Sequence, residues 1–124
     1  MNEAATTAIR VEQTKQSRLP QVDFNNLKFG QILSDHMLVA EYANGRWEDV
    51  GIVPYGNLSL SPATSALHYG QAIFEGLKAY RFADGTVSMF RPDKNNERFN
   101  KSALRLEMPE VPEDIFIGGL HALI

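Results

Sequence analysis

Two β-type stretches, each followed by a tight-turn sequence, predict two antiparallel hairpins in this chain. In the first, residues 37–43 and 46–53 flank Asn44-Gly45, and Asn-Gly tolerates positive φ at both central positions of a two-residue turn. In the second, residues 77–82 and 86–90 flank a turn that contains Asp-Gly. Aromatic side chains alternate with other residues along its first strand, as expected when one face of the strand is buried and the other is wetter.

Helices are predicted between and after the hairpins. A short helix is expected to begin at Ser61-Pro62, with Ser as cap and Pro at the first helical position, and to end at Gly76. A longer helix is expected over most of residues 93–106, after Pro92, because its apolar positions recur at helical spacing. Hairpins mixed with helices predict a fold of the α+β class.

A last helix is predicted to begin after Pro112, with its apolar side chains in a single stripe. The stripe consists of Phe116, Leu120, Leu123 and Ile124. A finished helix usually ends at a Gly or Asn stop, whereas this one runs to the last residue without either. We therefore expect the natural protein to continue beyond this residue, and the stripe to pack on the part that follows.

Residues 1–20 have a different character from the rest of the chain. They are rich in Thr, Gln and charged residues, with only scattered apolar ones. We expect a flexible N-terminal tail, or a loose edge segment, over 1–20. One domain is expected over 21–124, because domains usually contain ~100–200 residues.

Composition and charge narrow the class of protein. Hydrophobic residues make up 44% and charged residues 22% of the chain, which argues against disorder. The net charge of −3 provides no basic field for nucleic acid or anionic lipid, and no apolar run approaches the ~20 residues of a membrane span. Without cysteine, a disulfide scaffold, a Cys nucleophile and a thiolate metal site are excluded. We expect a soluble, cytoplasmic protein that binds neither nucleic acid nor membrane.

The densest polar feature is a cluster of cationic residues in and before the helix predicted over 93–106. Its members are Arg91, Lys94, Arg98, Lys101 and Arg105. Arg98, Lys101 and Arg105 are three and four positions apart and therefore share one helix face. For any single cation a solvated surface role is the default interpretation. The alternative is a phosphate site, because guanidinium offers two parallel donors to phosphate oxygens, and the acidic total favours an anionic small molecule over nucleic acid.

Aromatic residues close to glycine form a second feature. The lysines and histidines indicate no further site. Phe29, Tyr69 and Phe74 each lie within two positions of a glycine, and core packing is the default interpretation for each. Lys78 alone among five lysines has partly apolar neighbours, as a Schiff-base lysine needs, but it is expected to point outward from a strand. The three histidines have no metal-ligand spacing, so no metal site is predicted.

From Phe29 onward, about three quarters of the chain resembles the N-terminal part of the branched-chain amino acid aminotransferases, members of the class IV aminotransferase family. Three stretches carry the resemblance. They are Phe29-Gly30 with residues 34–38 (SDHML), residues 65–81 (SALHYGQAIFEGLKAYR), and residues 89–99 (MFRPDKNNERF) continued by 101–105 (KSALR). The sequence of these stretches is more similar to this longer subgroup than to D-amino-acid transaminases or aminodeoxychorismate lyases, which share its fold and cofactor.

The resemblance implies a pyridoxal-phosphate enzyme of fold type IV, a homodimer of two-domain subunits. Such enzymes transfer the amino group of leucine, isoleucine or valine to 2-oxoglutarate. On this sequence, Arg98 matches the arginine that binds the cofactor phosphate, and Phe29, Tyr69 and Phe74 match aromatic residues that line the pocket for the branched side chain. We expect the Arg98 guanidinium to point into a concave, partly exposed site that at least one of these aromatic residues also lines.

One departure from the family pattern concerns catalysis. The lysine that binds the cofactor covalently belongs to the other half of such enzymes, and none of the lysines here has a matching context. The implied catalytic lysine therefore lies outside this chain, and the 124 residues alone are expected to be inactive. Two alternatives stay open: a D-amino-acid transaminase of the same fold, and a non-catalytic binding or scaffold domain.

Overall fold

The computed structural model describes residues 8–124. Backbone contacts divide them into a first unit that ends at Asn57 and a second unit that begins at Leu58. The domain predicted over 21–124 thus contains the boundary between the two units. In the described part of the chain, no helix has the length and apolar character needed to cross a membrane.

The first unit is built on a three-stranded sheet. Its strands are β1 (Arg10–Val11), β2 (His36–Ala43) and β3 (Arg46–Pro54), in the spatial order β1-β3-β2. The central strand β3 pairs parallel with β1 and antiparallel with β2. The first predicted hairpin is therefore confirmed. Its turn has the expected positive φ values, 54° at Asn44 and 78° at Gly45.

The core of this sheet lies on β3, and residues 8–20 contact the sheet. Val50, Gly51 and Ile52 are buried. In the segment predicted as a flexible tail, β1 pairs with β3, and the backbone N–H of Thr14 donates to His36 Nε2 at 3.0 Å. Residues 1–7 of that segment lie outside the described residues, and its flexibility stays a prediction.

The second unit combines three helices with a two-stranded sheet. The helices are α1 (Ser65–Tyr69), α2 (Pro92–Arg105) and α3 (Glu113–Leu123), and the strands are β4 (Ala79–Arg81) and β5 (Val87–Met89). Strands β4 and β5 pair antiparallel, which confirms the second hairpin with strands shorter than expected. The helix over 93–106 and the helix after Pro112 are confirmed as well. The expected mixture of helices and antiparallel strand pairs is thus present.

The predicted helix between the hairpins is wrong in its bounds. The observed helix, α1, begins at Ser65 and ends at Tyr69. It ends there because Gly70 adopts a left-handed conformation, with φ of 64°, and caps the helix. Gly70 can do so without strain because it has no Cβ. The chain beyond it, residues 71–78, is irregular and extended, with inward positions alternating with exposed ones.

Helices α2 and α3 pack on each other through Phe99 and Phe116. Ala103 and Ile115 are buried, and the rings of Phe99 and Phe116 lie 5.7 Å apart between centroids. The most buried side chain of α3 is that of Ile115, which is not a member of the predicted stripe. Of that stripe, Ile124 is exposed.

Candidate functional site

A cavity of about 420 Å³ in the second unit is lined mainly by cationic and aromatic residues. It lies between the segment that leads into β4, the end of β5 and the first turns of α2. Its lining residues are Gly76, Leu77, Lys78, Tyr80, Phe90, Arg91, Lys94, Asn95 and Arg98. Four of these are cations and, among the described residues that line the cavity, none is acidic. The cavity is therefore suited to an anionic ligand.

The start of α2 places three of the cations on one side of the cavity. Arg91 has a left-handed backbone, with φ of 49°, directly before Pro92 at the first helical position. Arg91 therefore lies just outside the helix, at its N-cap position, and its side chain borders the cavity. Lys94 and Arg98 follow at helical spacing and share this face. The positive end of the helix dipole lies at the same end of α2.

Only part of the predicted cation cluster contributes to the cavity. Lys101 and Arg105 do not line it, although Arg105 lies on nearly the same side of the helix as Arg98. With a rise of 1.5 Å per residue, Arg105 is displaced by roughly 10 Å along the helix axis, beyond the cavity. Lys78 is the fourth cation of the lining; it directly precedes β4 and is exposed.

The Arg98 guanidinium is held by Glu75. Its Nε donates to Glu75 Oε2 at 2.7 Å and its Nη2 donates to Glu75 Oε1 at 2.5 Å. The carboxylate side chain is only 7% exposed, whereas the arginine side chain is 66% exposed. A paired, planar contact of this kind fixes both the position and the plane of the guanidinium.

The same carboxylate accepts two further hydrogen bonds. Asn95 Nδ2 donates to Glu75 Oε1 at 3.0 Å and to the backbone oxygen of Gly76 at 3.1 Å, and the backbone N–H of Gly76 donates to Glu75 Oε1 at 3.0 Å. The hydrogen bonds from Arg98, helped by those from Asn95 and Gly76, lower the pKa of Glu75 to about 2 against the effect of its burial. The hydrogen bond to Glu75 in turn raises the pKa of Arg98. Both groups are charged at neutral pH.

Two of the predicted aromatic residues do not line the cavity with Arg98. Tyr69 and Phe74 are 88% and 91% exposed and are not among the lining residues. In the extended segment 71–78, successive side chains point to opposite sides, so Phe74 faces out where Glu75 faces in. The expectation that either residue shares this depression is therefore wrong, and the cavity has Tyr80 and Phe90 in their place.

Phe29 lies in the first unit. It precedes Gly30, whose φ is 72°, and its side chain is fully exposed. The roles of Phe29, Tyr69 and Phe74 toward a substrate stay predictions.

Sequence reasoning missed Glu75, which binds Arg98, and Asn95, which binds Glu75. A pattern that points to Glu75 is present in the sequence, because it is the only charged residue in the run from Gly70 to Leu77. A carboxylate in such surroundings needs a cationic or hydrogen-bonding partner. No local pattern identifies Arg98 as that partner, since the two residues are 23 positions apart.

In residues 8–124, no group of three or more His, Asp or Glu side chains is arranged to hold a metal ion. No family model matches the chain.

Sequence comparison shows that the chain is similar to aminotransferases. The relatives are, more particularly, branched-chain-amino-acid aminotransferases, which confirms the resemblance. A probable enzyme of this name from Streptomyces coelicolor is 54% identical over 100 residues, which are 80% of this chain and 28% of the relative. Branched-chain-amino-acid aminotransferase 2 of Bacillus subtilis is 47% identical over 117 residues, 94% of this chain and 32% of the relative. The enzyme of Mycolicibacterium smegmatis is 48% identical over 100 residues, 80% of this chain and 27% of the relative. The chain thus spans about 30% of the length of the curated relatives that it matches.

Proposed function

We propose that this chain is the N-terminal part of a branched-chain amino acid aminotransferase of fold type IV. The complete protein transfers the amino group of leucine, isoleucine or valine to 2-oxoglutarate, with pyridoxal phosphate as its cofactor. It acts as a cytoplasmic homodimer. The observation that carries the proposal is the cationic cavity in which Glu75 holds Arg98, at the position where the family resemblance implies a phosphate-binding arginine.

The residues of the cavity fit a phosphate group. A guanidinium carries five N–H donors, and Glu75 accepts from Nε and Nη2 of Arg98. The donors on Nη1, and the second one on Nη2, stay available to a phosphate oxygen. Lys78 and Arg91 border the same space and offset the negative charge of a phosphate. Lys94 borders it too, and its ammonium is paired with Glu97.

The contribution of this chain to the reaction is binding and orientation. Pyridoxal phosphate supplies an electron sink when the amino acid loses its α-proton. Arg98 suits the phosphate because its charge is permanent and its donors are planar. Fixing one end of the cofactor reduces the entropic barrier of the reaction. The lysine that binds the cofactor and moves the proton belongs, in this proposal, to the part of the protein beyond this chain.

Phe29, Tyr69 and Phe74 are proposed to form an apolar wall for the branched side chain in the complete protein. Their exposure in these units leaves their rings accessible to a substrate or to a further domain. Discrimination by an apolar wall is limited to ~1–3 kcal/mol per methylene. The complete enzyme should therefore accept leucine, isoleucine and valine.

The proposal is tested by titrating the complete apoprotein with pyridoxal phosphate and following cofactor absorbance. We expect Arg98→Ala to raise the dissociation constant by about 10- to 150-fold, the equivalent of a charged hydrogen bond. Arg105→Ala is the matched control, because Arg105 lies on the same helix outside the cavity, and it should leave the constant within about twofold. Equal constants for the two variants would contradict the assignment of Arg98.

A further inference from the structure

We infer that Glu75 is a positioning residue, which holds the Arg98 guanidinium in the orientation that binds the cofactor phosphate. The inference rests on the proposed function and extends it to a residue that does not itself line the cavity. Because it gives an acidic group a favourable role beside an anion site, it makes predictions opposite in sign to those of simple electrostatics.

The geometry supports a positioning role in three ways. Glu75 binds two different nitrogens of Arg98 with two different oxygens, so both the position and the plane of the guanidinium are fixed. The carboxylate is almost fully covered, while the guanidinium is mostly exposed. The anchored partner of the pair is thus Glu75, and Arg98 is the partner that reaches into the open cavity.

Asn95 and Gly76 hold the Glu75 carboxylate in place. The amide of Asn95, a buried residue of α2, donates to both Glu75 Oε1 and the Gly76 backbone oxygen. The backbone N–H of Gly76 also donates to Glu75 Oε1. The extended segment before β4 and the first turns of α2 are therefore joined at this carboxylate. A free arginine side chain has many rotamers, and its ordering by Glu75 before the phosphate arrives removes an entropic cost from binding.

Charge and orientation have opposite effects on anion binding at this site. Glu75 partly neutralises Arg98, so an account based on charge alone predicts that removing the carboxylate tightens phosphate binding. A positioning role predicts that the same change weakens binding, because Arg98 loses its fixed plane. Two variants separate these accounts. Glu75→Gln removes the charge and sets an NH2 group against one donor of Arg98, whereas Glu75→Asp keeps the charge but shortens the side chain by one methylene.

The experiment is a cofactor titration of the complete apoprotein carrying each variant, with urea unfolding to verify that it is folded. We expect Glu75→Gln and Glu75→Asp each to raise the dissociation constant of pyridoxal phosphate by about tenfold. Glu113→Gln is the control for loss of one acidic group, because Glu113 is exposed in the first turn of α3, and its constant should stay within about twofold. A constant for Glu75→Gln that is unchanged or lower than that of the natural protein would overturn the inference.

A double-mutant cycle with Arg98→Ala shows whether Glu75 acts through Arg98. If it does, Glu75→Gln weakens binding in the natural background and changes it by less than about twofold when Arg98 is already absent. An equal loss in both backgrounds would mean a general structural effect, and would overturn the inference while leaving the proposed function intact. If Arg98→Ala itself has no effect on cofactor binding, the phosphate assignment fails, and the role of Glu75 fails with it.

Discussion

The side-chain amide of Asn100 forms two hydrogen bonds with the backbone of Val111, eleven positions further along the chain. Its Nδ2 donates to the Val111 oxygen at 2.9 Å, and its Oδ1 accepts from the Val111 N–H at 2.8 Å. The Asn100 side chain of α2 thus supplies hydrogen-bond partners for the backbone N–H and oxygen of Val111, in the segment before α3. This pair fixes how the chain returns from α2 to α3.

We predict that Asn100→Ala lowers the free energy of unfolding by about 2 kcal/mol, because both polar groups of Val111 lose their partner in a part-buried position. The better helix propensity of Ala offsets a little of this loss. Urea unfolding of the chain measures the change. Asn26→Ala, at an exposed position of the first unit, is the control and should change the free energy by less than about 0.5 kcal/mol. Equal unfolding free energies for Asn100→Ala and the control would show that the Asn100–Val111 hydrogen bonds do not stabilise the fold.

The Glu75–Arg98 pair predicts a specific dependence of stability on pH. The pKa of Glu75 falls from 4.5 to about 2 on folding. A carboxylate whose pKa is lowered by folding stabilises the fold above its unfolded pKa and loses that effect as the pH falls through the folded pKa. The stabilisation is therefore complete above about pH 5 and declines toward pH 2.

We expect this pH-dependent stabilisation to amount to about 1–2 kcal/mol, after allowance for solvent screening at the exposed guanidinium. Unfolding free energies of the natural chain and of Glu75→Gln, measured between pH 6 and pH 2, should converge as the pH falls. A constant difference across that range would show that Glu75 does not titrate as described.

Gly70 should be far less tolerant of a side chain than Gly76. Both have open space around the position of a Cβ, but only Gly70 has a positive φ, of 64°. We predict that Gly70→Ala destabilises the chain by about 1 kcal/mol, because L-residues are strained in the left-handed region. Gly76→Ala, the matched control, should have a smaller effect on urea unfolding. The prediction fails if the two variants are equally stable.

The proposed substrate wall predicts that stability and activity respond differently to loss of an aromatic ring. Phe74→Ala removes an exposed side chain and should change the unfolding free energy by less than about 0.5 kcal/mol. Phe116→Ala removes a ring that packs on Phe99 and should lower the unfolding free energy by about 3 kcal/mol. In the complete protein, we expect Phe74→Ala to lower kcat/KM for leucine by about tenfold or more. Unchanged kcat/KM would remove Phe74 from the proposed wall.

The sequence predicted those elements whose causes are local. The Asn44-Gly45 turn defines the first hairpin, and Pro92 followed by helical spacing of apolar residues defines α2. Both ends of α1 differ from the prediction. Gly70 and Gly76 are equally able to adopt positive φ, and in the structure only Gly70 does so. In the site, both the cluster of cations in α2 and the family resemblance indicate Arg98.

What holds Arg98 was not predictable by the same reasoning. Glu75 meets it only because an extended segment and the start of α2 lie side by side, and sequence periodicity does not report such contacts. The exposure of Phe74 has a similar origin. Its neighbours in sequence suggest a pocket, but the alternation of the extended segment 71–78 turns Glu75 inward and Phe74 outward.

The most direct test of the central claim is an amino-transfer assay of the complete protein beside the 124-residue chain. Each is mixed with pyridoxal phosphate, 2-oxoglutarate and L-leucine or D-alanine, and glutamate formation is followed. We predict L-glutamate from L-leucine with the complete protein, none from D-alanine, and no turnover by the chain alone, because it has no lysine in a matching cofactor context. D-glutamate from D-alanine, or no turnover of either amino acid by the complete protein, would contradict the account.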